Sequence, residues 1–180
     1  MKLKSTIAFT IISIAVAAAL QGCITGGENT GDQYTKVHVG DPLPDFTVNL
    51  VDGTRVSRAE LIGKVSLVMF FTVSCGDCEK QFPVTERIYA AYKDNADFTM
   101  FGISRAQGLD VVQKYWSLYN YKMPYSPQED RSVYELFASA GVPRIHLSDR
   151  DGVIRYIFND NPIASYNALV DAVDKLLAEE

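Results

Sequence analysis

Cysteine and histidine are scarce in this chain of 180 residues: three of the first, Cys23, Cys75 and Cys78, and two of the second, His38 and His146. So few cysteines exclude a small secreted domain stapled by several disulfides. Clustered basic residues are also missing. With 17 Lys and Arg against 22 Asp and Glu, and no basic stripe, the chain lacks the footprint of a nucleic-acid partner. There is no internal repeat and no glycine-rich loop to cradle a phosphate. What remains is ordinary globular composition, 47% hydrophobic and 22% charged, in a chain long enough for one domain with a sizeable core.

The first residues read as a targeting segment. No acid precedes Cys23, Lys2 and Lys4 form a charged start, and Ile7–Leu20 is apolar apart from Thr10 and Ser13. That run is short for a membrane span and suits a signal peptide over residues 1–22. Leu20-Gln21-Gly22-Cys23 resembles a bacterial lipobox, which makes Cys23 the expected lipidated N-terminus, with two acyl chains for stable anchoring. Residues 23–38, rich in Gly and polar side chains, are expected to form a flexible tether, and residues 39–180 the folded domain.

With Cys23 assigned to lipid, Cys75 and Cys78 are left as a pair. A bridge closing so short a loop adds little stability, so chemistry is the better use for it. The pair sits in the stretch around which the chain is organised. Val65–Phe71 (VSLVMFF) is an almost unbroken apolar run suited to a strand buried on both faces, and a helical pattern follows Cys78 directly. Cys75 therefore falls at a helix N-terminus, where unpaired N–H groups and the helix dipole favour a thiolate. Ser74 and Asp77 have the spacing of a capping box.

Elsewhere the pattern predicts a strand near Phe46–Val51, a turn at Asp52-Gly53, a helical turn at Ser57–Leu61, and a helix over Glu79–Asp94 kinked at Pro83. It continues with a strand at Phe98–Ser104, a helix at Leu109–Asn120, a loop or short strand at Met123–Pro127, and a helix near Ser132–Ser139. Strands at Arg144–Ser148 and Val153–Phe158 flank a second Asp-Gly turn, and a last helix spans Ala164–Ala178. The aromatic run Tyr115, Trp116, Tyr119, Tyr121, Tyr125 could form a partner surface, but helical spacing favours core packing for Tyr115, Trp116 and Tyr119 and accounts less well for the loop residues Tyr121 and Tyr125. Alternating strands and helices give an α/β architecture.

These parts together resemble the thioredoxin superfamily, in particular the membrane-tethered TlpA/ResA-like thiol-disulfide oxidoreductases. The resemblance rests on Val39–Phe46 (VGDPLPDF), Asp52-Gly53, Cys75-Gly76-Asp77-Cys78, Phe82-Pro83, Gly141-Val142-Pro143 and Ser148–Gly152 (SDRDG). It implies a thioredoxin-like fold, a central mixed β-sheet with helices on both faces, and a cis Val142–Pro143 bond beside the cysteines that presents backbone groups to a substrate peptide. It also implies a lipid-anchored domain facing the periplasm, a disulfide-containing protein substrate and a membrane electron donor. No metal is implied, and no cofactor beyond a redox-active Cys75–Cys78 disulfide.

Four positions depart from the family pattern. Ser74 replaces a frequent Trp, Gln81 replaces a Glu, Met69 stands where thioredoxin has a buried Asp, and Arg144-Ile145-His146 replaces a sequence such as Thr-Thr-Phe. The usual proton acceptors for Cys78 are thus absent. Asp77, between the cysteines, is expected to oppose a Cys75 thiolate and favour a reducing couple. Two alternatives stand beside disulfide reduction. Thr72-x-x-Cys75 fits part of a peroxiredoxin pattern, although Val68 occupies the proline position. Copper or zinc handling by Cys75, Cys78 and His146 suits soft thiolates and an imidazole.

Overall fold

The computed structural model describes residues 32–179. The expected signal peptide, the lipobox-like stretch with Cys23 and the expected tether as far as residue 31 lie outside the described residues. The chain then runs through β1 (Thr47–Asn49), β2 (Arg55–Ser57), α1 (Arg58–Leu61), β3 (Val65–Phe71), α2 (Gly76–Tyr92), β4 (Phe98–Ser104) and α3 (Leu109–Tyr119). It finishes with β5 (Tyr125–Ser126), α4 (Tyr134–Phe137), β6 (Arg144–Ser148), β7 (Ile154–Phe158) and α5 (Tyr166–Ala178).

Five strands form one mixed sheet in the order β5-β4-β3-β6-β7. β3 is central and buried along its whole length, which is why its sequence is apolar without alternation. It pairs in parallel with β4 and antiparallel with β6. One face of the sheet is covered by the longer helices: Phe71 packs on Phe82 of α2 and Trp116 of α3, and α5 lies beside α2. On the other face Phe70 meets Tyr134 and Phe137 of α4. The central mixed sheet with helices on both faces is therefore present. β1 and β2 form a separate hairpin around Asp52-Gly53, fastened to the β5 edge where Val51 N–H donates to Tyr125 O at 2.9 Å.

Several boundaries differ from expectation. Residues 32–38 are not a free tether: Thr35 bridges Ala138, Lys36 N–H donates to Phe137 O at 2.9 Å, and Val37 is buried. α2 starts at Gly76 rather than Glu79 and continues through Pro83 to Tyr92. The proline removes the N–H that would have reached the Glu79 carbonyl, yet the packing of Phe82 and Ile88 holds the helix on both sides of it. The helix expected near Ser132–Ser139 shrinks to Tyr134–Phe137. At its start the Asp130 carboxylate takes both the N–H and the hydroxyl of Ser132, and at its end extended Ala138 pairs with Thr35. Trp116 is a core residue as expected, with its Nε1 donating to Met123 O at 2.9 Å; Tyr125 is buried too, although helical spacing did not place it there, while Tyr119 lies at the surface.

Candidate active site

Cys75 occupies the N-cap of α2, directly after the loop that leaves β3. It is half-buried, and its Sγ donates to Val142 O at 3.3 Å. Val142–Pro143 is a cis peptide, as the resemblance implied, and both residues are buried. Gly141, just before it, has φ +83°, and a side chain there would press on the Arg144 guanidinium at 3.2 Å. The backbone of 141–143 therefore approaches the Cys75 thiol with little steric cover of its own.

Cys78 lies one turn into α2 and is fully buried. Burial pushes its thiol well above the usual range. A Thr72 backbone hydrogen bond and the Arg105 charge oppose that rise, while the charge and thiol of Cys75 reinforce it. Both cysteines are free thiols in this structure. The site thus presents one accessible sulfur and one protected, proton-holding sulfur behind it.

The proposed capping box does not form. With α2 starting at Gly76, Ser74 lies outside the helix, and its exposed hydroxyl accepts from Gln107 Nε2 at 3.4 Å. Asp77 instead accepts from Lys80 Nζ at 2.9 Å, an exposed pair on the helix surface. This changes the account of Asp77: its charge is partly offset by Lys80, whose own pKa rises through that hydrogen bond. Gly76 is exposed at the first helical position. Gln81 is buried on the face of α2 that carries Cys78, its Nε2 donating to Ala164 O at 3.2 Å and its Oε1 without a partner among the described residues. Met69 is buried in β3. Neither of these two side chains can take a proton from Cys78.

His146 is not brought to the cysteines. It is fully buried, with Phe70 and Phe137 around its ring, and no group of three potential metal ligands occurs among the described residues. Burial, and then the Arg144 charge, push its pKa down to about 3. Arg144 follows the cis proline and is also buried. Its guanidinium donates to Ala140 O, Thr35 Oγ1 and the Asp32 carboxylate.

The 105–107 segment was missed from the sequence. Arg105 N–H donates to Phe71 O at 2.8 Å, and Gln107 Oε1 accepts from Val73 N–H at 2.7 Å, so this loop braces the residues leading to Cys75. Ala106 between them has φ +55°, a conformation few non-glycine residues adopt. A signal did exist. Neighbouring parallel strands end side by side, so whatever follows Phe98–Ser104 must border whatever follows Val65–Phe71.

A family model described as AhpC/TSA matches residues 39–157, which takes in the sheet, both cysteines and the cis proline. The chain belongs to the AhpC/TSA family. Among curated relatives, thiol-disulfide oxidoreductase ResA of Bacillus thuringiensis (strain Al Hakam) is 21% identical over 151 residues, covering 84% of this chain and 86% of that protein. ResA of Oceanobacillus iheyensis is 25% identical, covering 82% and 77%. Among solved structures, a candidate protein disulfide isomerase from Bacteroides thetaiotaomicron superposes with a TM-score of 0.76 at 32% identity, over 81% of this chain and 94% of that one. Within this family the chain is a TlpA/ResA-like member of the thioredoxin superfamily with a thioredoxin-like fold, and it is a thiol-disulfide oxidoreductase.

Proposed function

We propose that the protein reduces disulfides of extracytoplasmic proteins, with Cys75 as the attacking thiol and Cys78 as the resolving one. The observation that carries this reading is the pairing of a half-buried Cys75 at a helix N-terminus, 3.3 Å from Val142 O, with a fully buried Cys78 one turn behind it. The Cys75 thiolate attacks one sulfur of the substrate disulfide, forming a Cys75–substrate disulfide and expelling the other substrate sulfur as a thiolate. Cys78 then gives up its proton, which the expelled thiolate can take, and attacks Cys75. The second substrate thiolate leaves, and the protein is left with a Cys75–Cys78 disulfide. Two electrons pass from the dithiol to the substrate. An external reductant, expected in the membrane, resets the pair.

Burial of Cys78 supports the reducing direction. A Cys78 whose thiolate is disfavoured is a poor leaving group, so opening the Cys75–Cys78 disulfide is costly and the dithiol is a good donor. While the substrate peptide is attacked, the backbone of Val142 and Pro143 is placed to pair with it as an added strand. The extracytoplasmic setting is supported by the charged and apolar N-terminal sequence, with the lipobox placing lipid on Cys23. No helix among the described residues is long and apolar enough to cross a membrane.

Expression of a Cys78→Ser variant in the native host tests the mechanism. The account expects a disulfide-linked adduct between Cys75 and an extracytoplasmic protein, released by reductant. No adduct, or one that survives an added Cys75→Ala change, overturns the assignment of roles.

A further inference from the structure

Arg105 is half-buried at the end of β4, and its guanidinium makes no hydrogen bond or ion pair among the described residues. Most comparably placed cations here are engaged. Arg144 has three acceptors, Arg150 and Arg155 have carbonyl or carboxylate partners, and Arg131 is bound to Ser139 O and Glu135. The Arg105 guanidinium instead lies against the Tyr134 ring, 5.2 Å from its centroid. That contact with the ring face leaves the N–H donors without an acceptor among the described residues.

Its position is defined from two sides. Arg105 N–H is bonded to Phe71 O, and the neighbouring Gln107 holds Val73 and Ser74, the residues that lead into Cys75. Tyr134, on which Arg105 rests, donates its hydroxyl to Gly141 O at 2.8 Å, one residue before the Val142 carbonyl that receives the Cys75 thiol. Arg105 therefore stands on the wall joining the approach to Cys75 with the cis-proline loop. Its charge is felt at Cys78. Neither acid of the same wall forms an ion pair with it: the Asp130 carboxylate is bonded to Ser132, and Glu129 lies against Gly108. On the opposite side of the thiol, Asp77 and Lys80 cancel each other.

We propose that Arg105 is a specificity-determining residue that receives the carboxylate of an Asp or Glu flanking the reacting cysteine of the substrate protein. The proposal rests on the reading of Cys75 and Cys78 as the reducing pair. A planar guanidinium already held on an aromatic ring loses little freedom when a carboxylate docks on its donors, and the charge-assisted bonds so formed are stronger than neutral ones. The substrate class is thus a protein disulfide in an acidic local sequence, docked on a guanidinium that has no hydrogen-bond or ion-pair partner of its own among the described residues. Selection acts on docking, with the thiol chemistry unchanged.

The test uses the reduced protein and two model disulfide peptides, identical except for Glu or Lys beside the cysteine, with second-order rate constants measured in single turnover. Wild type is expected to react with the Glu peptide about tenfold faster than with the Lys peptide, the scale of one charge-assisted hydrogen bond, with the preference shrinking in salt. Arg105→Gln should bring the two rates together by slowing the Glu peptide, and Arg105→Lys should keep part of the preference. Because the peptide ratio is measured within each protein, a loss of stability in a variant does not imitate the effect. Equal rates in wild type, or an unchanged ratio in Arg105→Gln, overturn the proposal, as does equal slowing of both peptides, which would place Arg105 in the service of the thiols. A wild type that reduces neither peptide overturns the reading of the cysteine pair itself.

Discussion

Two sets of polar residues lie on the elements that carry the cysteines and the cis proline, and they live in different media. On the first turns of α2, Asp77 and Lys80 form an ion pair whose side chains are 46% and 67% exposed. On β6, just beyond the cis proline, Arg144, His146 and Ser148 point to one face of the sheet and are all buried, roofed by α4 and residues 32–38. Sequence distance ranks the first set as the more important, since Asp77 lies between the cysteines. Physics ranks the second. Exposed pairs are screened by water and salt, whereas a charge with 1% exposure must keep every acceptor it has.

The largest effect should come from removing the partner of the buried cation. Asp32→Ala leaves Arg144 buried without its carboxylate, and is expected to cost about 2–4 kcal/mol of stability in denaturant unfolding. Residues 32–38 should at the same time become sensitive to protease. Lys80→Gln, the matching change on α2, should leave the unfolding midpoint where it is. Equal losses from the two changes would erase the distinction between the regions.

His146 gives a second contrast, with His38. The folded protein holds His146 neutral down to about pH 3, while the unfolded chain protonates it near the ordinary value of 6.5. A lowered folded pKa means that the stability is present above pH 6.5 and is lost as pH falls below it, by up to about 1.4 kcal/mol per pH unit from this one residue. His146→Leu should flatten the pH dependence of unfolding between pH 6.5 and 4. Changing exposed His38 to Gln should leave the unfolding midpoint at neutral pH where it is. An unaltered slope in His146→Leu would show that the buried imidazole does not carry the effect.

The smallest effect belongs to Asp77. Its repulsion of a Cys75 thiolate is offset by Lys80 at 2.9 Å, so Asp77→Asn is expected to speed alkylation of Cys75 by less than about twofold, and less still in salt. A tenfold acceleration would return Asp77 to the place that the sequence suggested for it.

The elements legible in the sequence are those where one force decides. β3 and β4 begin and end where the largely apolar runs do, because strands buried on both faces tolerate little else. The cis Val142–Pro143 bond and the Cys75–Cys78 turn were legible through family resemblance. Local polar contacts were less so. Ser74-x-x-Asp77 looked like a capping box and is not one. Ser57-x-x-Glu60 has the same form, and there Glu60 Oε2 does accept from Ser57 N–H at 2.6 Å. The difference is helix register, which spacing alone does not fix. The docking of residues 32–38 was hidden because it depends on Arg144, more than a hundred residues away in the chain, and Arg105 was hidden for the same kind of reason.

The account's central claim is the division of labour between an accessible Cys75 and a buried Cys78. Timed alkylation of the native reduced protein, read by peptide mass, tests it most directly. Cys75 should be labelled at least about tenfold faster than Cys78, with Cys78 approaching the same rate only after unfolding. Equal labelling of the two thiols in the folded protein, or faster labelling of Cys78, would contradict it.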